Sequence, residues 1–182
     1  QITSTLLGQI LYVGIMVIIF TAYLLLFRRD YFDKPRSIAM LYVLLTLFPV
    51  VLSLFMRHNF MSVYIIPFAM VPMFVRVFMD SRTAFTTHVI MVMICAAAVK
   101  YQYEFIIIQL TAGFVAIYSL RELLRRAQVF KTALLVAVSS VVVYLSLQMM
   151  QDNDFMKMDH EMNVHFAVNG VLLLLAYPLM YI

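Results

Sequence analysis

Long apolar stretches, separated by short charged or polar segments, run through almost the whole chain, and no charged residue lies near the middle of any of them. A helix that crosses a hydrocarbon core of about 30 Å needs roughly 20 apolar residues. Seven stretches meet or approach this length, and we predict a membrane span at each. They are 6–27, 37–56, 60–79, 83–99, 104–120, 131–150 and 163–182.

The composition excludes a water-soluble domain. Of the 182 residues, 65% are hydrophobic and 12% are charged, whereas soluble domains are about 45–50% apolar and about 25% charged. Each stretch should be a helix, because hydrocarbon offers no partner for an exposed backbone group. A membrane barrel would instead show short segments of alternating polarity, which are absent. We therefore predict an all-α, polytopic bundle of about seven transmembrane helices, a single domain over residues 1–182.

The distribution of basic residues predicts the orientation of the bundle. Ten of the 13 Lys and Arg residues fall in loops on one side of the membrane, and the side that is rich in Lys and Arg is normally cytoplasmic. The N-terminus is then outside and the C-terminus inside, and the net charge of +4 needs no nucleic-acid partner. The ten residues are Arg28, Arg29, Lys34, Arg36, Arg76, Arg82, Arg121, Arg125, Arg126 and Lys131.

The third stretch, 60–79, contains Pro67 and Pro72. Each proline removes a backbone donor, so the stretch would be either kinked or re-entrant. A re-entrant segment would break the alternation of charge downstream, and we therefore expect a kinked helix that crosses the whole membrane.

Several segments carry more specific residues: YIIPFAMVPMFVRVFMDSRTAF at 64–85, QLTAGFVAIYSLREL at 109–123, RRAQVFKTA at 125–133, and the last run from Asn169 and Gly170 to Pro178 and Leu179. These segments resemble the membrane region of the seven-transmembrane HD proteins, and in particular that of members from Bacteroidetes. In these bacterial signalling proteins such a bundle is fused to an HD-type phosphodiesterase.

The resemblance implies a longer protein. A further helix and an extracellular domain are expected before Gln1, and a cytoplasmic HD domain that hydrolyses cyclic di-AMP is expected after Ile182. Divalent metals are expected only in that domain, because the nearest arrangement here to an adjacent His-Asp pair is the reversed Asp159-His160. For this chain we expect no catalytic residue, cofactor or metal. The expected partners are its own extracellular and HD domains and the lipid of the bacterial inner membrane.

Charged residues and prolines are candidates for coupling helix movement to the attached domain. Arg76 and Asp80 are four residues apart, a spacing that permits an ion pair on one helical face, and Arg82 follows them. These three residues form either a polar contact that couples helix movement to the attached domain or a basic turn anchored in lipid headgroups. Hinges are expected where proline removes a backbone hydrogen bond. The hinge candidates are Pro49, Pro67, Pro72 and Pro178.

Two charged loops are candidates for contacts outside the bundle. The basic loop either docks onto the HD domain or attracts anionic lipid. An acidic loop on the predicted outer side either binds a divalent cation through its oxygen ligands or contacts the extracellular domain as a solvated loop. The basic residues are Arg121, Arg125, Arg126 and Lys131; the acidic loop holds Asp152, Asp154, Asp159, His160, Glu161 and His165.

Three polar residues inside the predicted spans, His88, Gln109 and Asn169, either pack helices together or bind a ligand. His88 lies about one turn from the inner surface and is expected to reach water. Small residues allow another helix to approach closely, within the bundle or between protomers of a homo-oligomer. These small residues are Ala112, Gly113, Ala116, Ala133 and Ala137.

From these features we expect a sensory module that transmits a signal to an attached phosphodiesterase. A small transporter or channel is the first alternative, and a polar path through Gln109, His88 and Asn169 would favour it. The absence of a charged residue at mid-membrane depth disfavours proton-coupled transport. A structural subunit of a larger membrane complex is the second alternative.

Overall fold

A computed structural model of the chain describes residues 2–58, 66–99, 102–120, 126–150, 167–169 and 171–172. Helices and short turns account for these residues, with no strand among them, which confirms the all-α prediction. Residues 167–169 and 171–172 are helical. The other helices are α1 (Ile2–Phe27), α2 (Arg29–Phe32), α3 (Pro35–His58), α4 (Met70–Phe78), α5 (Ser81–Ala96), α6 (Gln102–Ser119) and α7 (Arg126–Met150).

Three of these helices are long and apolar enough to cross a membrane: Thr3–Phe27, Pro35–Arg57 and Phe130–Met150. They coincide with the predicted spans at 6–27, 37–56 and 131–150. Helix α5 is a shorter apolar helix of 16 residues, and α6 covers most of the predicted span at 104–120. The count of seven spans and the orientation of the termini stay predictions, and most of the last span lies outside the described residues.

Large apolar side chains cover the outer faces of the long helices. On α1, Ile18 and Leu26 are 67% and 77% exposed, and on α7 Leu134 is 57% exposed. In water this surface would be unfavourable at about 25 cal/mol per Å², whereas the acyl chains of a bilayer are as apolar as these side chains. The exposed faces are therefore those of helices that contact lipid.

The third predicted span is not a continuous helix. Residues 66–69 form a turn, and α4 has only nine residues, which extend about 14 Å. Pro67 disfavours a helical conformation at the preceding Ile66, and Pro72 lies in the first turn of α4, where its missing N–H has no helical acceptor. The expectation of a single kinked helix is therefore wrong for the described part of this stretch, and residues 60–65 lie outside it.

Helix α5 lies at the centre of the described bundle. Helices α1, α3, α4 and α6 all pack on it, and α7 packs on α6. Ten of the 16 residues of α5 are buried, whereas Arg82, Thr86, Val89 and Met93 on one face are exposed or half-buried. The turn before α4 inserts Phe68 into the same core, where its ring centroid lies 5.8 Å from that of Phe48 and 5.4 Å from that of Phe105.

Candidate functional site

A charged cluster joins the end of α1 to the junction between α4 and α5. Arg28 follows α1, and its Nη1 lies 3.5 Å from Oδ2 of Asp80; its Nη2 lies 3.1 Å from Oδ2 of Asp30. The guanidinium carbon is 4.1 Å from the ring centroid of Tyr31, whose hydroxyl donates to Oδ1 of Asp80 at 3.5 Å. We call Arg28, Asp30, Tyr31 and Asp80 the Arg28 cluster.

Antiparallel packing of α1 and α5 brings the cluster together. The Tyr12 hydroxyl donates to the Met93 carbonyl oxygen at 2.6 Å near one end of the two helices. The Tyr23 hydroxyl lies 3.4 Å from Oγ1 of Thr83 near the other. Arg28 and Asp80 therefore lie at the same end of the bundle, as the alternation of the predicted spans requires.

The electrostatics of the cluster favour a contact that forms and opens easily. Burial, and next the Asp80 carboxylate, raise the pKa of the Tyr31 hydroxyl, which therefore stays protonated and donates. Partial burial lowers the pKa of Arg28, but the carboxylates of Asp80 and Asp30 outweigh it and raise the pKa above its ordinary value. The Arg28 and Asp80 side chains are 29% and 31% exposed, and ion pairs open to solvent contribute only about 0–1 kcal/mol.

Arg76 and Asp80 do not share a helical face, in contrast to the prediction. Helix α4 ends at Phe78, and Asp80 has an extended backbone with φ −139° and ψ 170°. The spacing of four residues would place them together only in an uninterrupted helix. Arg76 lies in the last turn of α4, and Arg82 is exposed in the first turn of α5.

The sequence did not indicate Arg28 and Tyr31 as partners of Asp80. A signal for Arg28 was present, because its charge and that of Asp80 fall on the same predicted side of the membrane. The pairing itself depends on how α1 packs against α5, which loop charges do not specify.

His88 and Gln109 are brought together in the interior, through the backbone of α6. His88 is 1% exposed, and its Nε2 lies 2.6 Å from the carbonyl oxygen of Gln109. A carbonyl only accepts, so Nε2 carries the proton and donates. The imidazole lies against Gly113, where a Cβ would overlap it. The expectation that His88 reaches water is therefore wrong for this structure.

Asn169 joins the end of the chain to the turn before α4. It is 7% exposed, and its Nδ2 donates to the carbonyl oxygen of Ile66 at 2.9 Å. The same carbonyl accepts the N–H of Phe68 at 2.9 Å. Both His88 and Asn169 thus bind a main-chain carbonyl of another segment, as polar side chains that hold helices together do.

A family described as a 7TM receptor with intracellular HD hydrolase has a sequence model that matches residues 3–182. The chain belongs to this family. The resemblance seen in the sequence is confirmed, and the chain is a multi-pass membrane receptor module that the family links to an intracellular HD hydrolase. No curated protein and no solved structure in the comparison matches the chain.

The other predicted residues of this 7TM-HD receptor fall in three groups. Pro49 lies inside α3, which continues through it, and Lys131 is exposed on α7. The small residues Ala112, Gly113 and Ala116 are buried, so the close approach that they allow is within the bundle. Ala133 is buried and Ala137 is half-buried on α7. The remaining candidates lie outside the described residues: Arg121, Arg125, Pro178, the side chain of Arg126, and the acidic loop with Asp152, Asp154, Asp159, His160, Glu161 and His165.

Proposed function

We propose that this bundle lies in the bacterial inner membrane, senses a cue there and regulates an attached cytoplasmic phosphodiesterase. The proposed substrate of that phosphodiesterase is cyclic di-AMP. The observation that most supports this is the family match over residues 3–182. The bundle itself performs no catalysis in this proposal, and the HD domain holds the divalent metals. The extracellular domain, the HD domain and lipid are its partners.

The Arg28 cluster is the proposed switch. A ligand shifts an equilibrium between two helix packings only by its difference in affinity for them. The ion pair between Arg28 and Asp80 connects the end of α1 to the α4–α5 junction at 3.5 Å. Because so exposed a pair contributes only about 0–1 kcal/mol, a modest binding energy is enough to open it. Opening would release α1 from the junction while the buried contacts of α5 persist.

Asn169 provides the proposed connection to the hydrolase. Its amide holds the carbonyl of Ile66 at 2.9 Å, and it lies in the last predicted span, 163–182. A shift of the turn at 66–69 would therefore be passed to the segment that leads to the HD domain.

The test is a charge exchange in the protein with its hydrolase domain, reconstituted in lipid nanodiscs. Hydrolysis of cyclic di-AMP would be measured for Arg28→Asp, Asp80→Arg and the double variant. Each single variant is expected to change the rate by up to about fivefold, the factor that corresponds to an ion pair of about 1 kcal/mol. The double variant restores the pair with opposite polarity, and its rate is expected to return towards that of the unaltered protein.

Arg29→Asp is the matched control, because Arg29 is the next residue, is exposed and is outside the Arg28 cluster. If Arg29→Asp changes the rate as much as Arg28→Asp does, or if the double variant is not restored, the cluster is not the switch. If the complete protein does not hydrolyse cyclic di-AMP at all, the proposed substrate is wrong whatever the variants do.

A further inference from the structure

A groove along α3 ends at a basic residue and is lined mainly by apolar side chains, with Gln9 and Ser53 as its polar residues. It consists of two adjoining depressions of about 270 Å³ and 210 Å³ that share Pro49 and Ser53. The first runs along α3 to Arg57, and the second lies between α3, Gln9 of α1 and the end of α5. We propose that this groove binds one anionic phospholipid, which goes beyond the proposed signalling function and does not depend on it.

The groove exists because two helices are separated by small side chains. Helices α1 and α3 both pack on α5, and α5 ends at Ala96. The next residues in the groove are Ala97 and Ala98, whose side chains are single methyl groups. Nothing larger fills the space between α1 and α3 at this level of the described structure.

The groove has a basic residue at one end and apolar walls beyond it, which matches the anionic headgroup and the acyl chains of a phospholipid. Arg57 is exposed at one end and forms no ion pair with any described residue. Val50 and Leu54, which are 50% and 49% exposed, provide apolar walls. Arg57 is eight residues from Pro49 along α3, which is about 12 Å. A phosphate at Arg57 would therefore place an acyl chain along the groove down to Pro49.

Charge favours an anionic lipid as the occupant of the groove. An acyl chain is thinner than a helix, and Arg57 is complementary in charge to an anionic headgroup.

The test measures lipid retained by the protein with its hydrolase domain. The purified protein would be equilibrated with mixed micelles of phosphatidylglycerol and phosphatidylcholine in equal amounts and washed, and retained lipid counted by mass spectrometry. Phosphatidylglycerol is expected to be enriched. Arg57→Gln is expected to lower that enrichment about fivefold, which corresponds to about 1 kcal/mol for one basic residue at an anionic lipid surface. Arg36→Gln, a matched loss of charge in the first turn of α3, is expected to preserve it.

A second variant tests the apolar part of the groove. Val50→Phe adds a ring to an exposed groove residue and leaves the core unchanged, so it is expected to reduce retention of both lipids. Equal effects of Arg57→Gln and Arg36→Gln would reveal unspecific charge attraction and overturn the proposal. Unchanged retention in Val50→Phe would also overturn it, and a changed oligomeric state with unchanged retention would assign the face to a second copy.

Discussion

At the scale of single residues, the contact between His88 and α6 depends on the absence of a side chain at position 113. Gln109 offers its carbonyl to the imidazole at 2.6 Å, and the ring crosses the place that a Cβ at Gly113 would occupy. A glycine inside a helix lowers its stability by about 1 kcal/mol relative to alanine. The close approach of His88 supplies a physical reason for glycine here, where intrinsic helix propensity favours alanine.

We expect Gly113→Ala to destabilise the bundle by about 1–3 kcal/mol, the usual cost of overpacking a filled interior. The midpoint of thermal unfolding in detergent would be followed with a thiol-reactive fluorogenic dye, because Cys95 is the one cysteine of the chain and is buried until the protein unfolds. In the double variant with His88→Ala the clash is removed, so the two changes should not be additive.

Gly14→Ala is the control for this prediction, because a Cβ at Gly14 would meet no described atom within 4 Å beyond its neighbouring residues and the backbone of its own helix. Its midpoint should stay the same or rise. A drop in Gly14→Ala as large as that in Gly113→Ala would show that the loss does not come from contact with His88.

At the scale of elements, the sequence predicts uniform helices well and broken ones poorly. The spans at 6–27, 37–56 and 131–150 are evenly apolar with polar ends, and lipid permits only a helix there. Pro67 and Pro72 predict an interruption of the third span, but they do not predict the conformation of the interrupted segment. Phe68 is held in the interior by ring contacts with α3 and α6. The sequence around Phe68 does not reveal these distant partners.

Phe68→Ala is expected to cost about 3 kcal/mol or more, because it leaves a cavity between Phe48 and Phe105. Phe130→Ala on α7 is the comparison, since Phe130 is 60% exposed and its removal leaves no cavity. Both would be measured by the same thiol-reactivity melt. Similar midpoints for the two variants would mean that Phe68 does not hold the broken segment in place.

At the scale of the whole molecule, loop charges predicted which residues share an end of the bundle but not which of them touch. Arg28 and Asp80 were both assigned to the cytoplasmic side, and the structure places them 3.5 Å apart. The spacing of Arg76 and Asp80 predicted a shared helical face, but α4 ends at Phe78, before Asp80. Predicting which side chains pair requires knowledge of how α1 packs on α5, whereas predicting the orientation requires only a count of basic residues in the loops.

The seven predicted spans can be tested by maleimide labelling of single cysteines in the loops between them. In a Cys95→Ala background, single cysteines at Arg57 and Asp154 are expected to react with a membrane-impermeant maleimide on intact cells. Cysteines at Lys34 and Arg82 should react only after permeabilisation, because an odd number of crossings separates the two pairs. Reaction of positions 34 and 57 from the same side would contradict the crossing of α3, and reaction of 57 and 82 from the same side would make the third stretch re-entrant.

A cell membrane holds a voltage, and a water-filled gap in a protein that spans it would let that voltage drain away. The break at 66–69 is where such a gap would open, because a turn leaves backbone groups that attract water. Phe68 is fully buried at this point with its ring against those of Phe48 and Phe105. The three rings thereby fill the space beside the break with apolar atoms, and a movement that separated them would open that space to water.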